Sequence, residues 1–170
     1  MAQYRSSRNI EASVVDYITS ALSTANWSGI TVEKSYSRVY DSQENIGGSS
    51  EKAVICVHVG DSKVDRYEIG TNAILPQRTV IIDIFACNDG QRLDLKDFLI
   101  GQLILGMPYY NMVTTTANRT TTVAKTQSGR INVLNIDDSS VNLNIDKSDL
   151  DTHDRFRHRL TLVIQRSAAE

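Results

Sequence analysis

Pro76-Gln-Arg-Thr-Val-Ile-Ile-Asp-Ile-Phe-Ala-Cys87, then Asn88-Asp89-Gly90, then Gln91-Arg-Leu-Asp-Leu-Lys-Asp-Phe-Leu-Ile-Gly-Gln-Leu-Ile-Leu-Gly106 is the stretch whose reading decides the fold. From Arg78 to Ala86 both alternating faces are apolar. Val80, Ile82, Ile84 and Ala86 share one face, and Ile81 and Phe85 share the other. A strand apolar on both faces is central or is covered on each side. Asp83 is the exception. It could be a metal-binding acid of the kind nucleases keep on a strand. However, no Glu-x-Lys strand follows it, because a helix does, and this favours a buried or subunit-contacting aspartate paired with an arginine. Asn88 or Asp89 can cap that helix, and Gln91 stands three residues after Asn88, as a capping box requires. Leu93, Leu95, Phe98, Leu99, Ile100, Leu103, Ile104 and Leu105 exceed a single apolar stripe, so the helix is expected to be covered on more than one side. A neighbouring subunit is the natural second cover, with Leu95, Leu99 and Leu103 as candidate contacts. Gly106 and Pro108 end the helix.

Upstream, Arg8–Thr24 carries Ile10, Val14, Tyr17, Ile18 and Leu22 at helical spacing, with Ser6 or Ser7 as the cap. Trp27 reads as a packing anchor at the corner that follows. Ile30–Tyr40 is expected to be a strand whose apolar alternation fades towards an edge or an interface. Residues 41–52 form a polar loop with a Gly-Gly pair, which lacks the spacing of a phosphate-binding loop. Ala53–Gly60 reads as a second strand, with Cys56 and His58 facing away from Ile55 and Val57. Gly60-Asp61-Ser62-Lys63 suits a hairpin turn into a short third strand, Val64–Ile69.

Downstream, Tyr109–Thr126 contains two threonine triplets. Threonine favours strands and supplies little apolar area, so this segment reads as an extended hairpin or arm centred near residues 117–119. Tyr109, Tyr110 and Arg119 join the candidate subunit interface. Arg130–Ile136 is a further strand. Asp137–Asp151 is acidic and alternates at Val141, Leu143 and Ile145. Thr152–Gln165 closes the chain as a strand, with Arg155, Arg157, Arg159 and Thr161 on one face and Phe156, His158, Leu160, Leu162 and Ile164 on the other. Its arginines are expected to form ion pairs, with the acidic segment before it as the nearest source of carboxylates.

The 170 residues are 41% hydrophobic and 22% charged, which suits one globular domain with a substantial core. A net charge of −2 argues against a broad grip on nucleic acid. No apolar run approaches the roughly 20 residues that span a bilayer, and the N-terminus lacks the apolar core of a signal peptide. Cys56 and Cys87 read as two buried, reduced thiols. His58, His153 and His158 have no metal-site spacing, and the aspartates around residue 140 miss the calcium-loop pattern. No Gly-x-Ser-x-Gly elbow occurs. No catalytic residue, metal or cofactor is therefore expected. The fold class expected from these elements is α+β: a mixed, mostly antiparallel sheet flanked by two main helices, with an extended polar hairpin, in a single domain over residues 1–170.

The order of these elements resembles the tail terminator (tail completion) proteins of tailed bacteriophages. Arg78–Ala86 and Arg159–Arg166 carry most of that resemblance. It implies a non-enzymatic virion protein that assembles in the host cytoplasm as a homo-oligomer, a hexameric ring. Such a ring caps the tail tube protein and faces the head-completion or connector protein, with DNA passing through it and no membrane involved. A lumen lined by acids repels phosphate and lets DNA slide, and Asp137, Asp138, Asp146, Asp149 and Asp151 are the candidates. Two other classes stay open: a different head–tail joining protein, such as a head-closure or tube subunit, and an unrelated binding domain or metal-dependent nuclease using Asp83.

Overall fold

The computed structural model describes residues 6–34, 36, 38, 53–66, 74–117, 120–141 and 156–168. They form two helices and one six-stranded, mostly antiparallel sheet, an α+β architecture. In chain order these are α1 (Ser6–Thr24), β1 (Thr31–Glu33), β2 (Val54–Arg66), β3 (Ile74–Phe85), α2 (Asp89–Leu103), β4 (Met107–Ala117), β5 (Thr120–Ser140) and β6 (Arg157–Ala168). The strands lie in the order β1-β2-β3-β6-β5-β4, with β1 parallel to β2 and every other neighbour antiparallel. β3 and β6 are therefore central, which explains why β3 is apolar on both faces.

Alternation sorts the side chains to two faces. One face presents Ile55 and Val57 of β2, Val80, Ile82 and Ile84 of β3, Leu160, Leu162 and Ile164 of β6, Ile131 of β5, and Met107 and Tyr109 of β4. Ile10, Val14, Ile18 and Leu22 of α1 and Leu95, Leu99 and Leu103 of α2 close over that face in one continuous core. Helix α1 lies against β1, β2 and β4. Both edge strands thus meet the same helix, so the sheet curls around it.

The ends of α2 show how local sequence sets the path. Asn88 caps the helix, its side chain accepting a hydrogen bond from the Gln91 amide at 2.8 Å. The Gln91 side chain reaches back and accepts from the Cys87 amide at 3.0 Å, a variant of the capping box one residue further upstream. At the other end Gly106 adopts φ 74°, and a Cβ there would meet the Ile131 carbonyl oxygen at 2.9 Å. Glycine alone takes this left-handed turn into β4 without strain.

Three expectations need correction. Val54–Arg66 is one strand of 13 residues, where a hairpin at residues 60–63 was expected. The turn-like residues form a bulge between Val59 and Ser62, because pairing with the long β3 overrides their local preference. Of the strand expected over residues 30–40, Thr31–Glu33 forms, and the described Tyr36 and Arg38 are helical instead. Arg130–Ile136 is the middle of a strand of 21 residues that begins in the threonine-rich hairpin. That hairpin forms as expected, with Ala117 opposite Thr120. The polar loop 41–52 lies outside the described residues.

Candidate functional site

The second face of the sheet holds the densest polar constellation among the described residues. Alternation puts Asp83 of β3 on this face, and the register places it between Cys56 of β2 and Arg159 of β6. Its carboxylate is fully buried. The Arg159 guanidinium donates twice, Nε to Oδ1 at 2.9 Å and Nη2 to Oδ2 at 3.0 Å. Arg157 Nη2 donates to Oδ2 at 3.0 Å, and the Tyr36 hydroxyl donates to the same oxygen. Arg157 also stacks over the Phe85 ring at 5.0 Å. Val54, Cys56 and Phe85, with Tyr36 packed against them, make a small apolar collar around the charges.

The electrostatics follow from these partners. Burial alone pushes the Asp83 carboxyl up, but the bonds from Arg159, Arg157 and Tyr36 outweigh it and hold the group below the usual carboxylate range. Burial and the neighbouring carboxylate push the Tyr36 hydroxyl up to about 12, so it stays a donor. Burial, with Asp83 adding to it, pushes the Cys56 thiol up to about 11, which removes its nucleophilicity at neutral pH. An acid saturated by two guanidiniums and a hydroxyl has no open face for a cation. Asp83 is thus the paired aspartate that its sequence context favours, and the cluster is a clamp across β3 and β6. The carboxylate that Arg157 and Arg159 share is Asp83 on β3, and most of the acidic segment, from residue 142 on, lies outside the described residues. Tyr36 is the member that sequence reasoning missed. It stands 47 residues from Asp83, and nothing in its local pattern points there.

The candidate interface residues separate. Leu95, Leu99 and Leu103 lie along one side of α2 and are fully buried within the chain, as is Tyr109. They leave no surface for a neighbour. The curled sheet gives α2 all the cover that these leucines need, and the surplus apolar residues are elsewhere: Leu93, Ile104 and Leu105 are exposed. Tyr110 is half-buried, with Lys125 Nζ 5.0 Å above its ring, and its amide donates to Ser13 Oγ at 3.0 Å. Arg119 lies outside the described residues.

The acids of the proposed lumen separate as well. Asp137 faces Thr161 and Asp138 faces Leu160, so the two point to opposite sides of the sheet. Asp138 sits on the helix side, 3.7 Å from Lys96 Nζ and 3.6 Å from His158 Nε2. Asp137 accepts from Asn135 at 2.9 Å on the other side. Consecutive strand residues cannot line one surface. Asp146, Asp149 and Asp151 lie outside the described residues. His158 is buried, and its Nδ1 lies 3.3 Å from Arg92 Nη1. An arginine can only donate, so Nδ1 accepts and the ring is neutral. Burial first, then the Arg92 charge, lowers its pKa. His58 is exposed, and His153 lies outside the described residues. Neither cysteine forms a disulfide; Cys56 is buried and Cys87 is half-buried.

The β4–β5 hairpin is the other distinctive element. β5 pairs with β6 only from Gly129 onwards, so among the described residues Thr120–Ser128 has β4 as its single strand neighbour. The base of this ribbon is tied to α1 by Asn9 Nδ2 to Asn111 Oδ1 at 3.4 Å and by Lys125 Nζ to Asp16 at 2.9 Å. Val113 and Val123 are exposed on it, at 52% and 60%. No protein-family model matches the sequence, and comparison with curated proteins finds no match.

Proposed function

We propose that this chain is a structural subunit of a tailed-phage neck, assembling as a homo-oligomeric ring, most simply a hexamer, that terminates the tail tube and meets the head connector. The projecting hairpin carries this reading. A two-stranded ribbon is marginal in water on its own, and this one runs past the sheet with apolar residues exposed on it. Such a ribbon gains cover when a neighbouring subunit packs on it or extends it. A head-to-tail contact of this kind closes into a ring when the rotation allows. Ile104 and Leu105 at the end of α2 add exposed apolar surface of the same use.

The resemblance in element order supports the neck assignment, and the occupied carboxylate of Asp83 weakens the nuclease alternative. DNA passes through the ring without specific recognition in this reading. Light scattering across a concentration series, with negative-stain imaging of the largest species, tests it. Rings of uniform subunit number are the expected result. A strict monomer at high concentration, or cleavage of DNA lost in Asp83→Ala, would overturn it.

A further inference from the structure

We propose that His158 is a proton-operated latch on α2, arranged so that acidification releases the first two turns of the helix, Asp89 to Lys96, while the sheet stays paired. The ring is buried where β6 meets α2 and β5. Among the described residues, each neighbouring element presents a different group to it. From α2, Arg92 Nη1 lies 3.3 Å from Nδ1. From β5, Asp138 Oδ2 lies 3.6 Å from Nε2, and Lys96 Nζ of α2 lies 3.7 Å from the same carboxylate. From β3, the register sets the apolar Ile84 opposite His158. On β6 itself, Arg157 and Arg159 point to the other face, where they hold Asp83. Asp89 and Asp97 stand behind the two cations of α2, 2.7 Å from Arg92 and 3.1 Å from Lys96.

In the neutral ring Nδ1 accepts from Arg92, so the proton sits on Nε2. Nε2 is buried and has no hydrogen-bond partner among the described residues, since Asp138 stands just beyond reach. A second proton has one place to go, Nδ1. There it meets a guanidinium that can only donate, and the bond becomes a contact between two donors of like charge. The new charge also draws Asp138 towards Nε2 and away from Lys96. Both ties of α2 weaken together, and neither change loosens β5 from β6. Arg92 is already paired with Asp89 on its own helix, so the pair leaves with the turn that carries it. Leu99, Leu103 and the Gly106 turn lie beyond the released part and keep the rest of α2 seated. Leu95, fully buried in the closed helix, is uncovered. Burial first, then the Arg92 charge, lowers the His158 pKa in the closed form. Opening returns the ring towards its ordinary value of about 6.5 and takes up a proton. The open population is therefore flat above that value, rises as pH falls through it, and levels off below the pKa of the closed form.

Amide hydrogen exchange on the full chain, corrected for intrinsic rates, tests the latch. Between about pH 7.5 and about pH 5, protection at Leu93, Asp94, Leu95 and Lys96 should fall at least about threefold, while Val80 to Ile84 and Leu160 to Ile164 hold theirs. His158→Gln keeps an acceptor for Arg92 and cannot gain the proton, so it should remove the fall. Arg92→Gln should shrink it, which keeps the test decisive if the histidine variant fails to fold. An equal fall in wild type and His158→Gln overturns the latch. So does a fall that spreads to β3 and β6, because the proton then unfolds the chain instead of freeing one helix. A His158 ring that titrates at or above its ordinary value in the wild-type chain overturns it as well.

Discussion

The two faces of the central strands β3 and β6 solve the same burial problem by different chemistry. The helix-covered face is mainly apolar, with His158 and Asp138 at its margin, and its cohesion comes from the area that α1 and α2 remove from water. The other face carries a small apolar collar with Tyr36 packed against it. It holds one fully buried acid, and that acid is kept ionised by two arginines and a tyrosine. Apolar burial is non-directional and tolerates repacking, whereas the Asp83 clamp depends on the register that sets Asp83 opposite Arg159. A slip of one residue would turn Asp83 into the apolar core. The apolar face therefore supplies most of the stability, and the polar face selects the pairing.

The contrast can be broken from the apolar side first. Leu99→Ala empties a site that is fully buried between α2 and the sheet and should cost about 3–5 kcal/mol in chemical denaturation, the range for leucine truncation in a packed core. Asp83→Ala should follow at about 3 kcal/mol, because it strands two guanidiniums. Arg159 keeps about a third of its side-chain surface in water, which places the effect at the lower end. The sharper experiment replaces Asp83, Arg157 and Arg159 together by apolar residues of similar volume. Stability should then return to near the wild-type value or exceed it. Hydrogen exchange at the β3–β6 boundary should become less uniform if the clamp selects the register. Wild-type stability with Asp83→Ala alone would deny the clamp any role.

Smaller effects separate the faces by pH. Folding holds His158 neutral and lowers its pKa, so its contribution is present above the unfolded value of about 6.5 and is lost as pH falls through the folded pKa. Asp83 is also lowered, so its contribution persists until pH falls below about 4 and is lost through the folded pKa. Denaturation midpoints between pH 8 and pH 3 should thus fall in two stages. His158→Gln should abolish the first and leave the second. Tyr36→Phe removes one of the donors to the carboxylate and should cost about 1 kcal/mol. Leu105→Ser, on an exposed residue, should change stability by less than about 0.5 kcal/mol while weakening any assembly that uses that end of α2.

Local signals read the helices and the hairpin well. The stripe of Ile10, Val14, Ile18 and Leu22, the Asn88 cap and the threonine triplets are all short-range patterns, and the structure forms each where it was expected. The faces of the closing strand were legible for the same reason, since alternation survives any sheet order. Partnership across the sheet was not legible. Gly60-Asp61-Ser62-Lys63 has turn chemistry, yet a twelve-residue partner strand holds it extended. Leu95, Leu99 and Leu103 looked surplus to one subunit because the curl of the sheet, which supplies their cover, has no local signature. The Asp83 clamp draws on Tyr36, Asp83, Arg157 and Arg159, and only the fold makes these neighbours.

The strand order carries one more consequence. β1, β2 and β3 come from the first half of the chain and β4, β5 and β6 from the second, and a single ladder, Gln77–Phe85 against Arg157–Gln165, joins the two triplets. The Asp83 clamp sits across that ladder. The chain is thus built like a reporter already divided in two. Fragments severed at Asn88 would each keep a three-stranded sheet and one helix, and their reunion would have to restore this one ladder together with the packing of α1 on β4.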